Sequence, residues 1–203
     1  MRRAHAKPRL VIATGNPGKL REIRALLSGL RAELVGLDAF PGLRMPEEGA
    51  DYADNAIAKA RAAARATGCV AVGDDSGLEV VGLDGRPGPH SARYGGPTLD
   101  DAGRVAHLLR EMDGLEGAQR RARFVCVAAW ALPAGTSQIA RGSCDGEILR
   151  APDGEGGFGY DPVFLSATEG CSMARVSDAR KNEISHRALA FRALRASLEA
   201  SLG

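Results

Sequence analysis

Short apolar runs alternate with glycine- and proline-punctuated polar stretches along the chain, and the period inside each run predicts its element. Residues 10–14 (LVIAT) read as a short buried strand ending in Gly15-Asn16-Pro17-Gly18-Lys19. Leu20, Ile23, Leu26 and Leu27 then recur at helical spacing, so strand, loop and helix follow in order. Residues 32–37 predict a second strand, and a loop punctuated by Pro41, Gly42, Pro46 and Gly49 follows. The alanine-rich run over residues 51–67 has high helix propensity, with Gly68 placed to stop it.

Residues 69–72 predict a brief strand that runs into Gly73-Asp74-Asp75-Ser76-Gly77, and residues 78–81 resume it before a turn-rich stretch over 82–89. The stripe Val105, Leu108, Leu109 and Met112 marks a helix over residues 100–112. Residues 121–132 and 138–149 form two longer strands, paired as a hairpin across 133–137. A last helix covers about residues 178–198, with Ser177 as its N-cap and Ile184, Ala188, Phe191, Leu194 and Leu198 on its buried face. With no repeat, low-complexity tract or charged linker, the pattern predicts a single α/β domain over residues 1–203 with a mixed sheet.

Composition narrows the function. The 203 residues can bury a core as one domain or as two lobes around a cleft, and 44% hydrophobic with 26% charged residues excludes global disorder. Lys and Arg number 27 against 25 Asp and Glu, a net charge of +2 that gives no reason to expect a nucleic-acid polymer or a membrane. Aromatics at 4% leave little for a base-stacking platform. Residues 1–10 are basic, but the apolar run after them is too short for a signal peptide or a membrane span. Cys69, Cys126, Cys144 and Cys171 are widely spaced with no CxxC pair, which fits reduced, mostly buried thiols in a cytoplasmic protein.

Four places carry candidate chemistry. Thr14, Gly15, Asn16, Pro17, Gly18 and Lys19 join a strand to a helix, where backbone N–H groups and a lysine can hold phosphate; the spacing is not Walker A, and a plain turn with an exposed lysine explains it equally. Asp74 and Asp75 at a strand end suit a hard cation, with Glu47 or Glu48 able to complete the site, while a solvated acidic turn is the ordinary alternative. Gly154 to Pro162 places Phe158 and Tyr160, with Gly159 and Asp161, in a glycine-rich loop suited to a flat purine or to plugging a sheet end. Lys181, Ser185, His186 and Arg187 open the last helix, Lys181 and Ser185 on one face; together they can hold phosphate and base edges or form a solvated face. A nucleotide with Mg2+ satisfies all four.

The segments ATGNPGK, EEGADYADNAIAKA, DDSGLEV, PGPHSARYGG, GGFGYDPVF and ISHRALA follow one another in an order that resembles the inosine triphosphate pyrophosphatase family over residues 10–198. The resemblance implies an elongated mixed sheet flanked by helices, two lobes around a central cleft, and a homodimer. It implies Mg2+-dependent cleavage of dITP, ITP, XTP and dXTP to the monophosphate and pyrophosphate, keeping these nucleotides out of DNA and RNA. Matched by motif, Thr14 to Lys19 hold the triphosphate, Asp75 is the catalytic carboxylate and metal ligand, and Ser76 contacts substrate. Phe158, Gly159, Tyr160, Asp161, Lys181, His186 and Arg187 bind base and phosphates. Pro46 stands where the family often has a metal-binding glutamate, so Glu47 or Glu48 serves instead, with Asp74 a further ligand.

Two other functions would use the same residues. A non-catalytic nucleotide sensor would use the same loops without turnover, and Lys19, Asp74, Asp75 and Lys181 argue against it. A pyrophosphatase directed at another modified nucleotide would share every motif, and only a substrate panel separates it.

Overall fold

Val70-Ala71-Val72 and Leu78-Glu79-Val80 are strand-forming segments on either side of a glycine-flanked acidic stretch. In the computed structural model, which describes residues 7–203, they form one continuous strand, β3 (Val70–Val80). Gly73 to Gly77 is therefore strand interior rather than the expected loop. The cause is pairing. Residues 71–80 of β3 are matched without a break, antiparallel, by β5 (Arg121–Ala131), whose ladder overrides the weak strand propensity of Gly and Asp. The basic segment over residues 1–10 lies partly outside the described residues, because 1–6 are not among them.

The other edge of β3 is shared. Parallel β1 (Arg9–Ile12) pairs with residues 70–72, with β2 (Glu33–Gly36) beyond it, and β4 (Pro87–Gly88) pairs with Leu78 and Glu79. Between these partners, residues 73–77 present a strand edge that no other described strand covers. On the far side, β5 and β6 (Ser137–Ile148) make the expected hairpin, and β7 (Phe164–Ser166) closes a mixed sheet of order β2-β1-β3-β5-β6-β7.

Helices cover this sheet unevenly. Helix α1 (Pro17–Leu26) and α5 (His186–Ser201) bury Ile23, Leu27, Phe191 and Leu194 on Ile12, Val72, Ala128 and Trp130 on one face. Helix α2 (Tyr52–Thr67) lays Ala56, Ala60, Ala63 and Ala64 on Ala71, Val127 and Ala129 of the other, small side chains allowing close approach. Asp51 caps its start, and Gly68 in the left-handed conformation ends it where the sequence predicts. Beyond the middle of β3, α3 (Asp101–Glu111) buries Val105 and Leu108 against Leu78, Val80, Phe124, Val163 and Phe164, a second apolar body on the same sheet. Two lobes thus meet where β3 has its free edge.

The expected last helix is two helices. Ser185 is extended (φ −68°, ψ 155°), ending α4 (Asp178–Ile184) and capping α5 by accepting the Ala188 N–H. A serine that bonds its own downstream backbone competes with continuation of the helix, which the periodicity does not reveal. All four cysteines are free; Cys126 is buried and the other three are half-buried. Among the described residues, no helix is long and apolar enough to cross a membrane.

Candidate active site

Successive residues of a strand face opposite sides of its sheet. This separates Asp74 from Asp75, so the adjacent carboxylates do not form the single pair their sequence suggests. Asp74 Oδ2 faces α1 and α5, where it meets Lys19 Nζ at 3.3 Å and accepts from Arg187 Nε at 3.2 Å. Burial alone would favour its neutral form, but the Lys19 and Arg187 charges outweigh it and hold the Asp74 carboxyl far below the usual carboxylate range. On this geometry Asp74 Oδ2 is a counter-ion between two cations.

Asp75 faces α2. Its Oδ1 accepts from Lys59 Nζ at 2.9 Å and its Oδ2 from Asn55 Nδ2 at 2.9 Å. Burial pushes the Asp75 carboxyl above its ordinary value, opposed by the Lys59 charge and the Asn55 hydrogen bond. Lys59 also bonds the Asp74 carbonyl oxygen and pairs with Glu48 Oε1. Glu48 Oε2 in turn accepts from Arg93 Nη1 at 2.9 Å. Glu48 thus joins Asp75 around one ammonium, whereas Glu47 is exposed.

The phosphate-loop residues form the start of α1. Asn16 caps the helix by accepting the Lys19 N–H, Pro17 fills its first position, and Thr14 Oγ1 accepts the Asn16 N–H. Gly15, Asn16 and Pro17 are exposed, and Lys19 projects to the free edge of β3 beside Asp74.

A cleft of about 150 Å³ lies between the lobes, lined by Lys19, Ser76, Phe158, Lys181, His186 and Arg187 together with Tyr160 and α3's Arg104. The four residues expected on a single helix here are buried, not a solvated face. Arg187 is 1% exposed and reaches Asp74, Ser76 Oγ at 2.9 Å and Glu22 at 2.5 Å. Lys181 bridges Glu22 at 2.8 Å and Asp161 at 2.5 Å, and Asp161 accepts the Phe158 N–H at 2.8 Å. The Phe158 ring packs on Gly18 with the Lys181 ammonium 4.8 Å from its centroid. Tyr160 is anchored in the second lobe, its hydroxyl donating to the Ser91 carbonyl at 2.9 Å. His186 stacks on Phe124 at 4.8 Å, and burial beside Arg187 and Lys181 pushes it well below the ordinary histidine value, so the ring is neutral at pH 7.

Glu22, Asn55, Lys59 and Arg93 belong to this constellation and carry no role in the sequence reading. Asn55 and Lys59 have a legible signal, two polar side chains at i and i+4 on the alanine face of α2. Glu22 and Arg93 have none, since their partners lie far along the chain.

Among the described residues, no three His, Cys, Asp or Glu side chains gather into a metal-binding group. Glu48 and Asp75 nevertheless converge on one cationic group, Lys59 Nζ. Two hard carboxylates around one position suit Mg2+, which is commonly held by one or two carboxylates plus substrate phosphates.

A 48%-identical relative, the dITP/XTP pyrophosphatase of Geobacillus kaustophilus, aligns over 90% of both chains. The enzyme of that name from Thermus thermophilus is 49% identical over 92% of this chain and 89% of its own. Among solved structures, a HAM1 protein from Coxiella burnetii superposes with a TM-score of 0.85 at 36% identity, covering 95% of this chain and 99% of that one. The Ham1 family model matches residues 10–197, which takes in both lobes and every residue of the cleft described above. With sequence, fold and site in agreement, the chain belongs to the Ham1 family.

Proposed function

We propose that this protein hydrolyses non-canonical purine nucleoside triphosphates such as dITP, ITP and XTP to the monophosphate and pyrophosphate. The observation that carries the reading is the uncovered edge of β3, with a buried carboxylate on one side and a cationic, aromatic-lined cleft on the other. A nucleotide with its base in the cleft runs its phosphates past Lys19 to reach Asp75 across that edge. The names of the Geobacillus and Thermus relatives fit the same chemistry.

Asp75 is the catalytic carboxylate. Its burial raises its basicity, and the Lys59 ammonium on Oδ1 holds its orientation, so it can accept a proton from the water that attacks the α-phosphorus. Lys19 and the N-terminus of α1 hold the triphosphate, and Lys19 and Lys181 offset negative charge on the departing pyrophosphate. Glu48 and Asp75 would hold Mg2+. When bound, that ion neutralises phosphate charge and polarises the phosphoryl oxygens.

Base choice follows from hydrogen-bond matching. Hypoxanthine and xanthine present a 6-oxygen and an N1–H, where adenine presents the reverse, and an unpaired buried group costs about 1–3 kcal/mol. Phe158 supplies a flat face that does not distinguish bases. His186 and Arg187 supply donors that do, with Ser76, Gly159, Tyr160 and Asp161 shaping the wall.

The active form in this reading is a homodimer. The face of β5 and β6 beyond α2 leaves Arg121, Arg123, Arg141, Asp145 and Glu147 exposed, an uncovered surface with charges of both signs. Initial rates on ITP, XTP, GTP, ATP and methylated purine triphosphates test the reading. Fast pyrophosphate release from ITP and XTP with slow turnover of GTP and ATP supports it, and a preference for a methylated nucleotide overturns the substrate assignment.

A further inference from the structure

Residues 40–51, which carry Glu48, form neither helix nor strand, so this loop's own backbone does little to fix where that carboxylate points. Arg93 Nη2 donates to the Glu48 carbonyl at 3.1 Å, and a second side chain holds the loop one residue further on. Asn55, 4% exposed, accepts the Gly49 N–H at 2.7 Å and donates to the Gly49 carbonyl at 3.1 Å, gripping both backbone groups of the residue after Glu48. The same carboxamide nitrogen donates to Asp75 Oδ2 at 2.9 Å. A single planar group therefore ties the loop to the carboxylate across the site, and α2 supplies it from one turn before Lys59.

Other residue types do not reproduce this set. Aspartate has no donor for the Gly49 carbonyl or for Asp75 and adds a third negative charge. Glutamine is one methylene longer on a fixed helix. Alanine leaves the part-buried Gly49 N–H and carbonyl and one Asp75 carboxylate oxygen without these partners.

We propose that Asn55 is a positioning residue that sets the separation of the Glu48 and Asp75 carboxylates, and through it the affinity of the site for its divalent cation. The inference rests on the reading of Glu48 and Asp75 as the carboxylates around that cation. Lys59 supplies the charge that draws these groups together, and Asn55 supplies the geometry. Outer partners of this kind change metal affinity by about 10- to 100-fold when removed.

The experiment uses Mn2+ as the probe, titrated into the nucleotide-free full chain and followed by the EPR signal of the free ion, beside the Mg2+ dependence of dITP turnover. Asn55→Ala is expected to weaken Mn2+ binding by about 10-fold or more. Its kcat should return close to wild type at saturating Mg2+, and its ITP-to-ATP ratio should stay unchanged. Asn55→Ser, which keeps a polar group on α2 but loses the reach to Asp75, is expected to shift the same way and serves if the alanine variant does not fold. Mn2+ affinity in a folded variant within about twofold of wild type, or a kcat loss that excess Mg2+ does not restore, overturns the proposal. Glu48→Gln and Asp75→Asn separate the two claims. If they weaken Mn2+ binding while Asn55→Ala does not, the positioning role alone fails. If neither weakens it, or the wild type shows no saturable Mn2+ binding, the carboxylate site falls with it.

Discussion

Asp74 and Asp75 are neighbours in the chain and stand on opposite faces of the sheet, each with its own lysine: Lys19 Nζ lies 3.3 Å from Asp74 Oδ2, and Lys59 Nζ lies 2.9 Å from Asp75 Oδ1. The two carboxylates have opposite electrostatic histories. Paired charges depress Asp74, and burial raises Asp75. Their removal should therefore have different consequences.

Asp75→Asn is expected to lower kcat by about 100- to 10,000-fold, the worth of a positioned general base. Because burial already disfavours the Asp75 charge and Lys59 keeps Glu48 as a partner, the neutral isostere should lose less stability than the corresponding change at Asp74. Asp74→Asn removes the counter-charge to the buried Arg187 and the half-buried Lys19 and is expected to cost about 3–5 kcal/mol. Urea unfolding of the two variants checks the contrast, and equal losses of stability would show that the carboxylates share one environment.

Lys19→Ala should raise KM for every triphosphate by about 10- to 100-fold, the scale of a lost charge-assisted hydrogen bond. The ratio of dITP to dGTP activity should hold, because Lys19 stands at the strand edge beside Asp74. A strong change in that ratio with KM preserved would move the base, not the phosphates, to this loop.

The pH dependence of selectivity reports on His186. Burial next to Arg187 and Lys181 keeps its ring deprotonated well below the usual histidine range. A group whose pKa is lowered loses its proton before neutrality, so the same neutral ring meets the base from about pH 6 to about pH 8. The ratio of kcat/KM for ITP over ATP is expected to stay flat across that interval. A sigmoidal change centred near the ordinary histidine value would place a charged ring in the pocket.

Gly142 has no room for a side chain, because a Cβ there would run into the His186 carbonyl oxygen and the Ala190 nitrogen of α5. Gly142→Ala should cost about 1–3 kcal/mol, typical of overpacking against backbone. It should also displace the first turn of α5, which carries His186 and Arg187. Loss of ITP-over-ATP discrimination together with a lower Tm is the expected result, measured by initial rates and thermal unfolding.

The order of the helices and the longer strands was legible because each apolar run has a clear period, and helix α2 carried its stop signal in Gly68. What the pattern missed depended on partners distant in the chain. Gly73 to Gly77 reads as a loop until β5 supplies the ladder that holds it extended. Ser185 reads as one more helical residue until its hydroxyl caps the next helix. The site motifs were legible as motifs, yet local sequence cannot say that Arg187 pairs with Glu22, or that Arg93 takes one oxygen of Glu48. The facing of Asp74 away from Asp75 was available in principle, since a strand alternates, but only once the stretch was known to be strand.

Hydrolysis of dITP in 18O-labelled water tests the central claim most directly, that water activated at Asp75 attacks the α-phosphorus. The account predicts one label in dIMP and none in pyrophosphate, with this turnover lost in Asp75→Asn. Label in the pyrophosphate, release of inorganic phosphate with dIDP, or unchanged turnover by Asp75→Asn would contradict it.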